Sequence, residues 1–174
     1  LLDPTRTSLS GYAGSSRLGG RGARGNLSFE TGWAWRSPGF EVNDIGFLRS
    51  ADQVNQFSWA GYSFRRPFSI FRRGQINTNQ WVNWDFGGTQ LSKAYNMNTN
   101  WNFRNQWSTG GGITRNTDRI SNAELRGGPS ARFEGQWNAE IWVNSDQRKS
   151  YGLNFGAYTN TGDQGSLKNP NYWA

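Results

Sequence analysis

Three groups of residues have the types and spacing to do chemistry. Glu41, Asn43, Asp44 and Asp52 place hard oxygen ligands along one stretch, the donor set that Ca2+ prefers. Their spacing follows no standard calcium loop, and a folded loop held by its own hydrogen bonds accounts for them better. Glu134 and Glu140 share a parity with Gln136 and Asn138. A carboxylate pair is what glycoside hydrolysis uses, but one wet face of a strand gives the same alternation without catalysis. Gly19-Gly20-Arg21-Gly22-Ala23-Arg24-Gly25 has the composition of RNA-touching Arg-Gly segments, but a flexible loop accounts for it better. Histidine and cysteine are both absent from the sequence. That removes the commonest general base and metal ligand, thiolate sites and disulfides. No enzyme activity, cofactor or metal is expected from these residues.

The elements that must carry such residues are strands. From Gln90 to Phe103, Tyr95, Met97, Thr99, Trp101 and Phe103 fall on one parity, and Ser92, Ala94, Asn96, Asn98, Asn100 and Asn102 on the other. Successive side chains of a strand point to opposite faces, so this is a strand with one apolar and one wet face. The wet face is a run of short amides rather than the long charged side chains of an open surface, which suits a confined aqueous interior. Asn26–Arg36, Val54–Arg65, Phe71–Phe86, Gln106–Arg115, Ala131–Val143 and Ser150–Thr159 read the same way. A parity slip between Trp59 and Tyr62 suggests a bulge at Gly61. Thr7–Ala13 is a further candidate strand, Ser15–Gly25 reads as a turn or loop, and 161–174 as an irregular tail. The expectation is one all-β unit: an antiparallel up-and-down meander of about eight strands, closed as a transmembrane barrel or part of a larger one.

Composition agrees. Aromatic residues make up 16% of the chain, with Trp 10, Phe 11 and Gly 23, while aliphatic residues are scarce. Aromatic girdles and glycine-rich turns are characteristic of membrane barrels. A mean hydropathy of -0.83 is compatible with this, because half of each barrel strand faces water. No apolar run of about 18 residues signals a membrane-spanning helix. The net charge of +7 comes mostly from arginines near turns, among them Arg17, Arg21, Arg24, Arg65, Arg66, Arg72, Arg73 and Arg126. Solvated strand ends explain them, as do phosphates of lipid headgroups or lipopolysaccharide; nucleic acid is a third and weaker explanation. The connections after Arg36 and Arg115 are long, and antiparallel order places them at one end. Those at Arg66, Arg104 and Asn144 are short and share the other, the pattern of outer-membrane barrels with short periplasmic turns.

Ser-Pro-Gly-Phe-Glu-Val-Asn-Asp-Ile-Gly-Phe-Leu-Arg-Ser-Ala-Asp-Gln (Ser37 to Gln53) resembles the signature loop of a bacterial outer-membrane β-barrel family. Longer members of that family carry an N-terminal domain similar to a family 9 carbohydrate-binding module. Leu125-Arg126-Gly127-Gly128-Pro129, Asn144-Ser145-Asp146 and Phe103-Arg104-Asn105-Gln106-Trp107 also fit its pattern, and the resemblance covers Thr7 to Tyr158. It implies that this chain is an internal part of a larger barrel, located in the outer membrane, and it brings no catalytic residues.

The residues expected to line the polar lumen are Asn79, Asn83, Asn96, Asn98, Asn100, Asn102, Gln136, Asn138, Glu140 and Asn154. Phe40, Glu41, Asn43, Asp44, Phe47, Arg49 and Asp52 are expected to form a gating or docking loop, because Phe40, Ile45, Phe47 and Leu48 are too apolar for a freely solvated one. The expected partners are outer-membrane lipid and lipopolysaccharide, and other outer-membrane or periplasmic proteins. The alternative is a soluble carbohydrate-binding β-sandwich with aromatics in its core and amides toward sugar. Tryptophans could stack on sugars, but their parity reads as lipid-facing.

Overall fold

Alternating side chains fix the strands, and connections too short for a crossover bring each strand back beside the last. The computed structural model describes residues 8, 10–42, 46, 48, 50–122, 124–125, 128–165 and 167–173. Its strands are β1 (Ala13–Arg21), β2 (Leu27–Arg36), β3 (Gln53–Phe64), β4 (Phe71–Trp84), β5 (Gln90–Phe103), β6 (Ser108–Asn116), β7 (Arg119–Ser121), β8 (Ala131–Phe133), β9 (Gln136–Asn144), β10 (Asn154–Gly162) and β11 (Lys168–Trp173). Nine of them form one sheet in the order β1-β2-β3-β4-β5-β6-β9-β10-β11, every neighbour antiparallel. Strands β7 and β8 form a separate hairpin within the connection from β6 to β9. The protein is therefore all-β and a meander. Its main sheet is open: β1 and β11 are its edges and do not pair with each other.

The structure corrects the sequence reading in five places. Of the candidate strand Thr7–Ala13, the described residues before Ala13 are not in a strand, and β1 begins only at Ala13. The Gly- and Arg-rich segment expected to be a loop is mostly strand, because Ser15 to Arg21 pairs residue by residue with β2. Gly20 lies across from Phe29, whose ring supplies the surface it lacks, while Gly19 pairs with Glu30. The stretch 161–174, expected to be irregular, holds the end of β10 and all of β11. Its Pro170 is tolerated because β11 is an edge strand and needs no donor on its outer side. No bulge occurs at Gly61: β3 keeps continuous register with β2 and β4 past it. Trp59 and Tyr62 simply lie on opposite faces, and a Cβ at Gly61 would stand 2.6 Å from the Trp59 ring and 2.7 Å from Asn77 Oδ1. The irregularities fall instead between Phe71 and Arg73 and between Asn83 and Trp84. Finally, Ala131–Val143 is not one strand. It breaks at Glu134 and Gly135, where the Gly135 amide donates to Asp118 Oδ1 (2.8 Å).

The sheet is a single layer without a closed core. Val82 and Leu91 are the buried apolar side chains among the described residues. Backbone ladders and cross-strand contacts hold the layer together. One contact recurs. Gly14–Trp35, Gly20–Phe29, Gly32–Phe57, Gly74–Trp101, Gly110–Trp142 and Gly156–Trp173 are directly paired residues on neighbouring strands. In each, the ring lies over the glycine where a side chain would stand; a Cβ on Gly32 would meet the Phe57 ring at 2.7 Å. Antiparallel order puts the two long connections, 37–52 and 117–135, at one end, and 22–26, 65–70, 104–107 and 145–153 at the other. No helix among the described residues is long and apolar enough to cross a membrane, which leaves crossing by strands open.

Candidate functional site: an amide-lined face

Register assigns every strand residue to one of two faces. All ten residues expected to share a polar face do so: Asn79 pairs with Asn96, Asn83 with Ser92, Asn138 with Asn160, Glu140 with Tyr158, Asn154 with Asn144, and Gln136 with Gly162, while Asn98, Asn100 and Asn102 continue the parity of Asn96. Their parity brings them together, since β4, β5, β6, β9 and β10 stay in register across the amide rows. The opposite face carries Leu27, Phe29, Trp33, Tyr62, Met97, Ile113, Ile141, Phe155 and Tyr172, all exposed.

The amides bond one another. Trp59 Nε1 (3.3 Å) and Gln75 Nε2 (2.7 Å) donate to Asn77 Oδ1, and Asn77 Nδ2 donates to Asn98 Oδ1 at 2.9 Å. Asn98 and Asn79 both donate to Asn96 Oδ1, at 2.6 and 2.9 Å, and Asn96 Nδ2 passes the chain to Thr114 Oγ1 at 2.8 Å. A second run goes from Asn116 Nδ2 to Asn138 Oδ1 (3.0 Å) and from Asn138 Nδ2 to the Tyr158 hydroxyl (2.9 Å). A carboxamide has two donors and one acceptor oxygen, so it can accept from one neighbour and donate to the next, which a carboxylate or an ammonium cannot. On β5 and β6 this face is uncharged, with donors and acceptors interleaved; its charges, Arg17, Arg21, Glu30, Arg36, Arg73 and Glu140, lie on the strands to either side. Two acceptors on it, Asn144 Oδ1 and Asn160 Oδ1, are buried without a partner among the described residues. Such a surface hydrogen-bonds water or a neutral polyol. It contains no nucleophile paired with a base.

The expectation that the tryptophans face lipid as a group does not hold on this face. Phe57 and Trp81 pair with each other, Trp59 with Asn79, Trp142 with Gly110 and Trp173 with Gly156, all on the amide side. The tryptophans are thus split between the faces and do not all belong to the apolar one. The signal was present: Trp81 has the parity of Asn79 and Asn83, and Trp142 that of Asn138 and Glu140.

The carboxylate pair considered for catalysis does not form a unit. Glu140 stays on the amide face of β9, opposite Gly112. Glu134 leaves the strand and accepts from the Gln164 amide through Oε2, with Oε1 buried and unpartnered. In the long connection, Asn43, Asp44, Phe47 and Arg49 lie outside the described residues, as does Ile45. Of the rest, Asp52 Oδ1 accepts from the Phe86 amide at 2.9 Å, and the Phe40 amide donates to Ser37 O at 3.0 Å. Ser37 is buried and exchanges bonds with Tyr12 on both its backbone and its hydroxyl. The base of this loop is therefore pinned to the sheet. No group of three or more carboxylates suited to a metal occurs among the described residues.

Two ion pairs stand at the same end. Arg115 grips Asp163 with two bonds of 2.6 Å, and Arg132 binds Asp118. Hydrogen bonds from Arg115 hold the Asp163 carboxyl below its ordinary pKa, and those from Arg132 and the Gly135 amide do the same for Asp118. Arg119 stacks 4.2 Å over Phe133 and stiffens the β7–β8 hairpin.

A single-layer antiparallel meander with an amide face and an uncovered apolar face is the class defined by the strands. The family model that matches residues 4–173 is described as Domain of unknown function (DUF5916), and the chain belongs to that family. No curated protein and no solved structure matches it.

Proposed function

We propose that this chain forms part of an outer-membrane β-barrel, with the amide face lining a water-filled interior and the apolar face against lipid. One observation carries the proposal: the apolar face extends over all nine strands, interrupted by the hydrogen-bonded patch of Thr31, Gln56, Ser58 and Gln80, and no described residue covers it, with Met97 56% and Ile141 59% exposed. Uncovered apolar patches of this extent mark contact with a membrane or a partner. Strand length supports the membrane. The 14 residues of β4 and of β5, at about 3.3 Å each and a tilt near 45°, reach across a hydrocarbon layer of about 30 Å. The interior then admits neutral polar solutes, and the segment 37–52 gates the opening or docks a partner, a reading supported by the bonds of Ser37 and Asp52 at its two ends. The test is reconstitution into vesicles without detergent, followed by planar-bilayer recording. Insertion with conductance is expected, and deletion of residues 40–48 should raise conductance if the loop occludes the interior. A chain that stays soluble and monomeric without detergent overturns the proposal.

The second reading is a soluble carbohydrate-binding sheet. It is favoured by the tryptophans on the amide face, since aromatic rings beside amide donors and acceptors are what a sugar's two sides require. Binding of soluble oligosaccharide by detergent-free protein would select it.

A further inference from the structure

The two ends of the sheet differ in how their charges are held. At the long-connection end, carboxylates outnumber arginines, and the structure pairs Arg115 and Arg132 with acids. At the short-turn end, Asp146 is the lone carboxylate in the connections 22–26, 65–70, 104–107 and 145–153, and it is taken by Arg148 at 2.8 Å. Arg24, Arg65, Arg66, Arg72 and Arg73 are exposed there and make no ion pair among the described residues. Like charges so close repel one another, so their accumulation without acids calls for an external anion.

The setting indicates which anion. Arg24, Arg65 and Arg66 line an open cleft of about 800 Å³ together with Phe64, Pro67 and Phe68. Phe64 and Phe68 belong to an aromatic cluster: their ring centroids are 5.3 Å apart, Phe64 lies 5.3 Å from Trp101, and Phe71 lies 4.8 Å from Trp101 and 5.1 Å from Phe103. The arginines therefore stand directly beyond a belt of rings at the rim of the apolar face. Aromatic belts lie at headgroup depth, and a guanidinium fork matches phosphate oxygens in pairs.

We infer that this cleft is a binding site for the phosphate of an anionic phospholipid headgroup, with Arg24, Arg65 and Arg66 as its ligands and the Phe64–Phe68–Trp101 rings against the glycerol and upper acyl chain. The inference rests on the membrane reading above and adds to it a lipid class and an end of the molecule. The anion is a membrane component because the rings beside the cleft need an apolar neighbour that free phosphate does not supply.

Quenching of tryptophan fluorescence by brominated lipids tests it with the full chain in vesicles. Brominated phosphatidylglycerol should compete with phosphatidylcholine several-fold better than brominated phosphatidylcholine does. A cation near an anionic surface contributes about a fivefold preference, so Arg24→Gln/Arg65→Gln/Arg66→Gln should remove the difference, Arg24→Lys/Arg65→Lys/Arg66→Lys should keep much of it, and Arg119→Gln at the opposite end should leave it intact. In the wild type, the preference should shrink as salt rises, a measurement that needs no variant to fold. Equal quenching by both lipids, or a preference the glutamine variant keeps, rejects the headgroup site and leaves the membrane reading standing. Quenching by neither lipid rejects both.

Discussion

Asn96 and Met97 are sequence neighbours on opposite sides of β5, and their surroundings have nothing in common. Both ends of the Asn96 carboxamide are occupied, by Asn79, Asn98, Thr114 and the Ile113 carbonyl. Met97 pairs with Thr78 and Ile113 across the ladder and is 56% exposed. One face completes its interactions within the sheet; the other leaves them to whatever lies against it. A face that bonds to itself tolerates water and tolerates change, because lost hydrogen bonds are replaced by solvent. A face that relies on an apolar neighbour tolerates neither charge nor water.

The largest effect expected from this contrast comes from putting a charge on each side. Met97→Arg should cost about 2–4 kcal/mol near the bilayer midplane, whereas Asn98→Arg should cost far less. Urea titrations of folding into lipid vesicles compare the two, and equal costs would sink the assignment of faces. Next in size is Gly74→Val, which drives a side chain into the Trp101 ring on the apolar face. Overpacking of this kind costs about 1–3 kcal/mol, and adding Trp101→Ala should recover part of that loss because the two positions share one contact. An additive double mutant would show that the ring and the glycine do not depend on each other. On the amide face, Asn98→Ser removes bonds to Asn77 and Asn96 but leaves a site that water can fill, so a loss under about 1 kcal/mol is expected.

The smallest effect concerns acid. Hydrogen bonds from Arg148 hold the Asp146 carboxyl at about 2, below its ordinary 3.8. The folded value is the depressed one, so the bond stabilises the fold above the ordinary value and is lost as pH falls from about 4 toward about 2. Asp146→Asn should flatten the pH dependence of the urea midpoint within that window and leave the response to Met97→Arg unchanged. A midpoint that still drops just as steeply would place the acid sensitivity at Asp118 or Asp163, whose carboxyls are shifted in the same direction.

Much of this contrast was legible in the residues. Parity alone placed Asn79, Asn98, Asn138 and Asn154 together, since a two-residue period permits one arrangement once strands are in register. Parity failed where glycine and proline suggested turns. Arg17 to Arg21 looked like a loop because glycine propensity counts against a strand; Phe29, on the neighbouring strand, supplies the missing surface over Gly20. Lys168-Asn169-Pro170 looked irregular because its value lies in being an edge, a property of the sheet rather than of the segment. Reading the tryptophans as a group as lipid-facing failed for a different reason: ring type was given more weight than position, although Trp81 shares the parity of Asn79 and Asn83. The contact between Arg115 and Asp163 joins residues 48 apart in sequence, and no local pattern announces it.

The rings lying over glycines also affect how the sequence can drift. A glycine opposite a tryptophan cannot gain a side chain while the ring stays, and the ring loses its seat once the glycine is filled. Each such pair is a two-key lock: single replacements are uphill from either side, and the way out passes through exchange of both residues at once. Among descendants of this chain, Gly110 with Trp142, and Gly156 with Trp173, should therefore be inherited as units and replaced as units, while the amides beside them vary one at a time.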